Sequence, residues 1–221
     1  MRIKILKVIF KDIKIESRDI PKLRGYFASK HPHYKQLHNH DGDKFIYKIP
    51  TIQYRRIRGK ATLIGFGEGL EILKKLFFET DKIILGDKIY NSYEKLISLK
   101  EYDFGITNST IKYRFVAPWM ALNQINYQKY FSLSNFEKRK EFLEKILIGN
   151  LISLSKNLSY SIPNKENISS KISNLQKINI HFKNQEMLCF KCNFRVNFRL
   201  PSLLGLGKQV GRGFGEVQHI I

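Results

Sequence analysis

Hydrophobic and polar positions alternate through the first stretch of the chain, Arg2–Ile15, which is dense in isoleucine, valine and phenylalanine. This pattern predicts a β-strand that is partly covered on both faces. The period then changes, because Ile20, Leu23 and Phe27 recur at the spacing of one helix face. An amphipathic helix is therefore predicted over Asp19–Lys30.

The rest of the N-terminal half carries further strand patterns and a second helix. These elements are predicted, in chain order, at Lys44–Ile49, Thr51–Arg58, Ala61–Phe66, the helix opened by Gly67-Glu68-Gly69, and the strand pair within Ile83–Leu99 that turns at Gly86-Asp87. Together with the first strand and helix, the order is β-α-β-β-α-β. This is the ferredoxin-like arrangement, in which four antiparallel strands carry two helices on one face.

The C-terminal half shows a strand, a long helix and a hairpin before a glycine-rich turn. The strands are predicted at Ile111–Pro118, Lys177–Phe182, Met187–Arg199 and Glu216–Ile221, and the helix follows a capping box at Ser134 and Glu137. The segment Asn157–Gln176, rich in Ser, Asn and Lys, predicts a mobile loop. We therefore predict an α+β protein of two ferredoxin-like (RRM-like) units in tandem, with antiparallel sheets, helices on one face and domains at residues 1–105 and 106–221.

Composition adds a strong positive charge to this picture. Among 221 residues, 39 are Lys or Arg and 19 are Asp or Glu, which gives a formal net charge of +20. Such a charge favours a polyanionic partner, with nucleic acid ahead of a membrane surface. The 43% hydrophobic content excludes a wholly disordered chain. The sequence contains no apolar run of about 18 residues, which is the length that would predict a membrane-spanning helix. Two cysteines exclude a disulfide scaffold and fit a reducing cytoplasm.

Four of the six histidines lie within ten residues, at His31, His33, His38 and His40. An imidazole can accept and donate a proton near neutral pH, so two adjacent imidazoles can serve as general base and general acid in one reaction. In an extended segment, residues two apart point the same way, which would bring His38 and His40 to one face. Two alternatives stay open: exposed loop histidines beside a basic surface, and a metal site that adds Asp41 and Asp43.

The C-terminal tail carries five glycines within eleven residues, and two cations lie in the same run. The glycines are Gly205, Gly207, Gly211, Gly213 and Gly215, and the cations are Lys208 and Arg212. Glycines let the backbone approach a ligand closely and turn its N–H groups outward, which suits phosphate oxygens. The spacing is not that of a P-loop, and a glycine-rich hairpin at a sheet edge is the alternative.

A basic run, Tyr54–Lys60, is a second candidate, after the tail, for binding a phosphate backbone. If this run is a strand, Arg56, Arg58 and Lys60 face one side of it, and cations on one sheet face can follow a phosphate backbone. The alternative is a solvated strand edge that charge protects from aggregation.

The ferredoxin-like order, the basic charge and a tail of the form Gly-x-Gly-x5-Gly-x-Gly resemble the RAMP proteins of CRISPR systems. Within that superfamily the chain most resembles the repeat-processing endoribonucleases of the Cas-six family, in particular their b-type branch. The segments that carry this resemblance are Arg18–Gly25, Leu37–His40, Pro50–Tyr54, Ile64–Gly69 and Ala117–Gln124, besides the tail Gly205–Gly215.

The resemblance implies cleavage of CRISPR precursor RNA within each repeat, without a metal or other cofactor. It implies that the RNA 2′-hydroxyl attacks the adjacent phosphate and leaves a 2′,3′-cyclic phosphate and a 5′-hydroxyl. His38 and His40 are then the expected proton-transfer pair, Lys44 the candidate cation for the phosphorane, and Tyr47 a candidate for positioning the ribose. The implied partner is CRISPR repeat RNA. Other CRISPR effector subunits and a homodimer remain open as partners, and a membrane is not expected.

Two other functions remain open from the sequence. The first is a catalytically silent RNA-binding RAMP subunit, which would bind RNA tightly and in a salt-sensitive way without cutting it. The second is a metal-dependent nuclease that uses His31, His33, His38 and His40 with Asp41. Activity that is lost on chelation and restored by zinc or manganese would indicate this second function.

Overall fold

The computed structural model describes residues 1–38, 40–41, 44–45, 49–91, 93–182 and 184–220, of which residues 38, 40, 41, 44, 45 and 166 are described by their backbone alone. By their contacts, the residues form two units. The N-terminal unit consists of Arg2–Tyr102 and Val210–Gly213, and the C-terminal unit of Met1, Asp103–Gln209 and Phe214–Ile221. Each unit contains a four-stranded sheet, and the predicted α+β, ferredoxin-like fold class is confirmed.

The N-terminal unit combines its sheet with helices and two short hairpins. Its elements are β1 (Arg2–Lys14), α1 (Ile20–Lys30), α2 (Lys35–His38), β2 (His40–Asp41), β3 (Lys44–Phe45), β4 (Ile52–Ile57), β5 (Lys60–Phe66), α3 (Glu68–Glu79), β6 (Ile83–Leu85), β7 (Lys88–Tyr90) and β8 (Lys95–Asp103). The order in the main sheet is β4-β5-β1-β8, while β2 pairs with β3 and β6 pairs with β7. Strand β4 therefore lies at one edge of the main sheet.

Hydrophobic spacing explains how the two longer helices pack on this sheet. Helix α1 buries Ile20, Leu23 and Phe27, the residues whose spacing predicts it, and α3 buries Leu70 and Leu73. Strand β5 pairs antiparallel with β1 on one side and with β4 on the other. The helices and strands enclose one hydrophobic core, in which each fully buried aliphatic or phenylalanine side chain contributes about 1.5–3 kcal/mol to the free energy of unfolding.

The C-terminal unit repeats this order of elements with one replacement. Its elements are β9 (Gly105–Phe115), α4 (Gln124–Ser132), α5 (Phe136–Asn157), β10 (Ser170–Phe182), β11 (Gln185–Arg199) and β12 (Val217–His219). The sheet order is β10-β11-β9-β12, so β10, β11, β9 and β12 hold the places that β4, β5, β1 and β8 hold in the first sheet. Where the first sheet has helix α3 between its third and fourth strands, the second has the glycine-rich segment between β11 and β12.

Two local predictions for the C-terminal half are wrong, and one helix was not predicted. Strand β10 begins at Ser170, inside the segment expected to be a mobile loop, because its backbone pairs with β11 despite a polar sequence. The N-cap of α5 is Asn135, whose side chain accepts a hydrogen bond from the Lys138 N–H, and not Ser134. Helix α4 has no counterpart in the prediction, since its apolar residues do not follow a helical face.

A long helix and an aromatic cluster build the C-terminal core. The leucines buried along one face of α5 are Leu143, Leu147, Leu151 and Leu154. Trp119 is fully buried, stacks on Phe115 at a centroid distance of 4.9 Å, and donates a hydrogen bond from Nε1 to the Asn150 side chain. The other face of α5 is charged, and none of the described helices combines the length and apolar sequence that a membrane crossing needs.

Candidate functional site

The two histidines predicted to transfer protons lie where a short helix meets a short hairpin in the N-terminal unit. Helix α2 ends at His38, and strand β2 begins at His40, whose backbone pairs with Phe45 of β3. In the same hairpin, Lys44 pairs with Asp41. The backbone thus places three of the four predicted catalytic residues at one helix end and in the hairpin that follows it.

One step of the sequence argument for this pair is wrong. His38 is helical, so His38 and His40 do not belong to one extended segment, and strand alternation does not place their side chains on one face. The two residues are near each other because a single residue separates them in the chain. Tyr47 and Asp43 lie outside the described residues, and the role proposed for each stays a prediction.

The other two histidines of the cluster are packed differently from each other. His31 is 7% exposed, its Nδ1 lies 4.0 Å from Glu79 Oε2, and its Nε2 has no hydrogen-bond partner among the described residues. Burial, and then the positive charge of Lys30, lowers the pKa of His31 and favours the neutral ring. His33 is exposed, and its ring lies 4.1 Å from that of Tyr34. Among the described residues, no three His, Cys, Asp or Glu side chains form a group that could hold a metal ion.

Four residues of the glycine-rich tail, Val210–Gly213, pack within the N-terminal unit. A Cβ atom added at Gly213 would lie 2.6 Å from Ile20 Cδ1 of α1, and the φ angle of Gly213 is +88°. A Cβ atom at Gly211 would lie 3.2 Å from Pro50 Cγ. The positive φ angle favours glycine at Gly213, and a Cβ atom there would require the end of the Ile20 side chain to shift.

Arg55 holds this segment beside the edge strand β4. Its side chain is 0% exposed, and Nη1 donates hydrogen bonds to the carbonyl oxygens of Val210, at 2.7 Å, and Tyr54, at 3.0 Å. Nη2 donates to the Gln53 side-chain oxygen. A buried guanidinium needs several such acceptors, because an unsatisfied buried charge is costly. Strand alternation places Arg55 and Arg56 on opposite faces of β4, but the residue pattern does not show that the face of Arg55 is covered, so this role was not predicted.

Two further arginines gather positive charge at the same place in the N-terminal unit. Arg24 of α1 and Arg212 of the tail are both half-buried. Burial lowers the pKa of both groups, and the positive charge of Arg212 lowers the pKa of Arg24 further. The Tyr54 hydroxyl, fully buried and interacting electrostatically with Arg24, has no hydrogen-bond partner among the described residues. Like charges held together in a half-buried position create a positive potential that suits an anion.

The remaining glycines of the tail pack within the C-terminal unit. Gly207 has a φ angle of +92°, and a Cβ atom there would lie 2.7 Å from Trp119 Nε1. Gly215 has a φ angle of +64°, and a Cβ atom there would overlap the carbonyl oxygen of Leu206. At both positions close backbone packing explains the glycine. Between them, the backbone N–H of Lys208 bonds to the Met120 carbonyl at 2.9 Å, while the Lys208 side chain is exposed.

The basic run does not form one strand face. Arg56 is exposed and is the second-last residue of β4. Arg58 lies in the turn that follows, with a φ angle of +50°, and Lys60 begins β5. The prediction that all three point to one side of a single strand is wrong, because the chain reverses at Arg58 and Gly59. The three cations nevertheless line one cleft of the N-terminal unit.

Each half of the chain matches a separate family model. Residues 1–103 match the family model of the Cas6b N-terminal domain, and residues 105–220 match that of the Cas6b C-terminal domain. A crystal structure of Cas6b is 37% identical and superposes with a TM-score of 0.92, with full coverage of both chains. A second crystal structure, of the CRISPR RNA processing endoribonuclease Cas6b, is 34% identical with a TM-score of 0.80 and the same full coverage.

A relative from Methanocaldococcus jannaschii, the uncharacterized protein MJ0978, is 38% identical over 133 residues, which are 60% of this chain and 86% of that protein. These matches confirm the resemblance inferred from the sequence motifs. Because the two family models together cover both halves, the chain belongs to the Cas6b family of CRISPR RNA processing endoribonucleases.

Proposed function

We propose that this chain is a metal-independent endoribonuclease that cleaves CRISPR precursor RNA within its repeats. The observation that carries the proposal is the full-length match, at 34% identity, to a protein described as a CRISPR RNA processing endoribonuclease. The net charge of +20 supports RNA as the substrate. The pair His38 and His40 supplies groups that transfer protons near neutral pH.

The proposed reaction uses a nucleophile that the RNA itself contains. One histidine of the pair accepts the proton of the 2′-hydroxyl, whose oxygen attacks the adjacent phosphorus. The bond from phosphorus to the 5′-oxygen breaks, and the other histidine donates a proton to that oxygen. The products are a 2′,3′-cyclic phosphate and a 5′-hydroxyl, and no water is consumed. Because the nucleophile is part of the substrate, the protein needs only to align the RNA, move protons and stabilise charge.

Positive groups of the N-terminal unit would stabilise the charge that develops on the phosphorane. Lys44 lies in the same hairpin as His40 and is the candidate from the sequence. Arg24 and Arg212 add a second source of positive potential. Arg212 was a candidate from the sequence, whereas Arg24 was not. We assign Tyr47 the positioning of the ribose.

The glycine-rich tail is proposed to bind the phosphate backbone through its cations. The backbone N–H groups of Lys208, Gly213 and Gly215, which the sequence predicted to face a phosphate, donate instead to protein carbonyl oxygens. Lys208 offers an exposed ammonium and Arg212 a half-buried guanidinium. The positive φ angles and close packing at Gly207 and Gly215 favour glycine at both positions, and these residues help to set the path of the tail between its cations. The full set assigned to RNA binding in the tail is Gly205, Gly207, Lys208, Gly211, Arg212, Gly213 and Gly215. In the N-terminal unit we add Arg56, Arg58 and Lys60.

The test is incubation of the protein with a transcript of the CRISPR repeat from its own locus, in the presence of EDTA. Cleavage is expected to persist, to yield a cyclic phosphate and a 5′-hydroxyl, and to stop when the nucleotide 5′ of the cut carries a 2′-deoxy sugar. Binding without any cleavage would favour a silent RNA-binding subunit. Cleavage lost in EDTA and restored by zinc or manganese would favour a metal-dependent nuclease.

A further inference from the structure

A basic cleft lies at one end of the N-terminal sheet, where β1 leads into α1, β4 turns into β5, and β6 turns into β7. Its volume is about 640 Å³. The cations that line it are Lys14, Arg18, Lys22, Arg56, Arg58, Lys60 and Lys88, and the acidic residues are Glu16, Asp19 and Asp87. We call this feature the basic end cleft. Seven cations against three carboxylates leave it with an excess of four positive charges.

Ion pairs within the cleft account for only part of this charge. Arg18 Nε lies 2.9 Å from Glu16 Oε2, and Lys22 Nζ lies 3.5 Å from Asp19 Oδ1. Within the described part of the chain, the other five cations form no ion pair. Arg56 is fixed by a 2.7 Å hydrogen bond from Nε to the Ile15 carbonyl oxygen, which holds its guanidinium at the cleft.

Two features of the cleft are unfavourable for folding and are explained by an anionic ligand. Lys14 of β1 and Lys60 of β5 are direct partners in the antiparallel pairing, and like charges directly opposite each other destabilise a sheet. Arg58 occupies the first position of a two-residue turn with a φ angle of +50°, where asparagine is favoured and other residues are strained. Backbone strain of this kind is a reason to suspect function.

We propose that the basic end cleft is a second binding site for the sugar–phosphate backbone of the substrate RNA, separate from the residues proposed to act at the scissile phosphate. This inference rests on the proposed function. The volume lies in the range of pockets that hold ligands of several hundred Å³, so the cleft has room for more than a single phosphate ion. Its cations come from the β1–α1 connection and from two hairpins, which is an arrangement that can contact successive phosphates of one strand.

The central test is the substitution Arg58→Asn, which removes a cation and also relieves the strain of the turn. We expect the melting temperature to rise or stay constant while the Kd for the repeat RNA increases about fivefold at 0.1 M salt. The slope of log Kd against log salt concentration should fall by about 0.7 to 1. Lys60→Gln should act in the same two directions, because it removes the repulsion with Lys14 and a phosphate contact together.

A matched control is Lys75→Gln combined with Lys145→Gln, which removes two exposed lysines outside the cleft. This control should leave the Kd and its salt dependence close to those of the wild-type protein. A second readout uses repeat RNA shortened from either end. The wild-type protein should lose affinity when the segment that reaches the cleft is removed, whereas Arg58→Asn and Lys60→Gln should lose much less.

The outcomes separate this inference from the proposed function. Cleavage by the cleft variants should still give a 2′,3′-cyclic phosphate and a 5′-hydroxyl at the same position in the repeat, because the proton-transfer groups are intact, whereas their cleavage rate at limiting RNA should fall with their affinity. Wild-type RNA affinity and salt slope in both Arg58→Asn and Lys60→Gln, in a protein that still cleaves, would overturn the second site alone. Charge-dependent binding of an acidic peptide at the cleft, with RNA affinity unaffected by the variants, would also overturn it.

Discussion

The edge strands β4 and β10 hold the same place in their two sheets, and the chain covers them in different ways. Beside β4, the buried guanidinium of Arg55 donates a hydrogen bond to the carbonyl of Val210 in the glycine-rich tail. Beside β10, the buried carboxylate of Glu144 in α5 accepts a hydrogen bond from the Ile172 N–H at 2.9 Å. Both edges are thus protected by a buried charged side chain with backbone partners.

The difference lies in what the covering element does. Glu144 belongs to the long helix that builds the C-terminal core, so this contact serves the fold. Val210 belongs to the tail that we propose binds RNA, so the contact of Arg55 also sets the position of a proposed ligand-binding segment. Under the proposed function, the same structural solution therefore supports RNA binding in the N-terminal unit and only stability in the C-terminal unit.

The largest expected effect tests whether the chemistry belongs to the N-terminal unit. We expect His38→Ala and His40→Ala each to lower the cleavage rate about 10²–10⁴-fold, because each removes one proton transfer. The Kd for repeat RNA should remain close to that of the wild-type protein. His33→Ala, an exposed histidine of the same segment, is the matched control and should cleave normally. If a variant that carries both His38→Ala and His40→Ala cleaves at the wild-type rate, the histidine pair has no part in the mechanism.

The next effect concerns the packing of the tail in the C-terminal unit. Gly215→Ala should lower the free energy of unfolding by about 3 kcal/mol, since the new Cβ overlaps the Leu206 carbonyl and φ is positive. Gly149→Ala, on an open face of α5, should instead raise it by about 0.5–1 kcal/mol. Chemical denaturation measures both values. Equal stability of the two variants would show that the tail is not closely packed.

The third effect tests the two edge contacts directly. Arg55→Met and Glu144→Met should each lower the free energy of unfolding by about 1–3 kcal/mol, because each leaves buried backbone or amide groups without a partner. Only Arg55→Met should also weaken RNA binding and speed amide hydrogen exchange in Val210–Gly213. If both variants change RNA binding equally at a temperature where both are folded, the functional distinction between the two edges is lost.

The smallest effect is a pH dependence of stability from His31. Its folded pKa lies below the unfolded value of about 6.5, so the unfolded chain binds more protons between the two values. The contribution of the neutral ring is therefore fully present above about pH 6.5 and is lost as the pH falls through that value toward the folded pKa. His31→Phe should flatten this part of the stability profile measured by denaturant titration at several pH values. A profile unchanged by the substitution would assign the pH dependence to other groups.

The order of helices and strands was accessible from the sequence because it rests on local properties. The spacing of Ile20, Leu23 and Phe27 specifies a helix whatever it packs against, and Gly86-Asp87 marks the turn between β6 and β7. Only the second half of β10 was accessible, as the predicted strand Lys177–Phe182. Its first half, from Ser170, is polar and forms a strand only because β11 supplies hydrogen bonds along its length. An edge strand with few buried residues has too little apolar alternation to be recognised alone.

The candidate site divides in the same way. A histidine pair, a glycine tail and a basic run are visible as letters, and the family resemblance they carry is confirmed. The environment of two adjacent arginine side chains cannot be read from the sequence. Arg55 is buried under a segment that lies 155 positions later in the chain, whereas Arg56 lines an open cleft. Gly213 and Gly25 likewise look alike, although one presses against Ile20 and the other has open space around it.

By itself, the sequence determined the two ferredoxin-like units, the excess of positive charge and the residue types available for proton transfer. Only the tertiary structure decided which cations share a cleft, which arginine holds the tail, and which glycines are indispensable. The physical reason is range: periodicity and turn preference act over a few residues, whereas burial and hydrogen-bond satisfaction depend on groups brought together from distant parts of the chain.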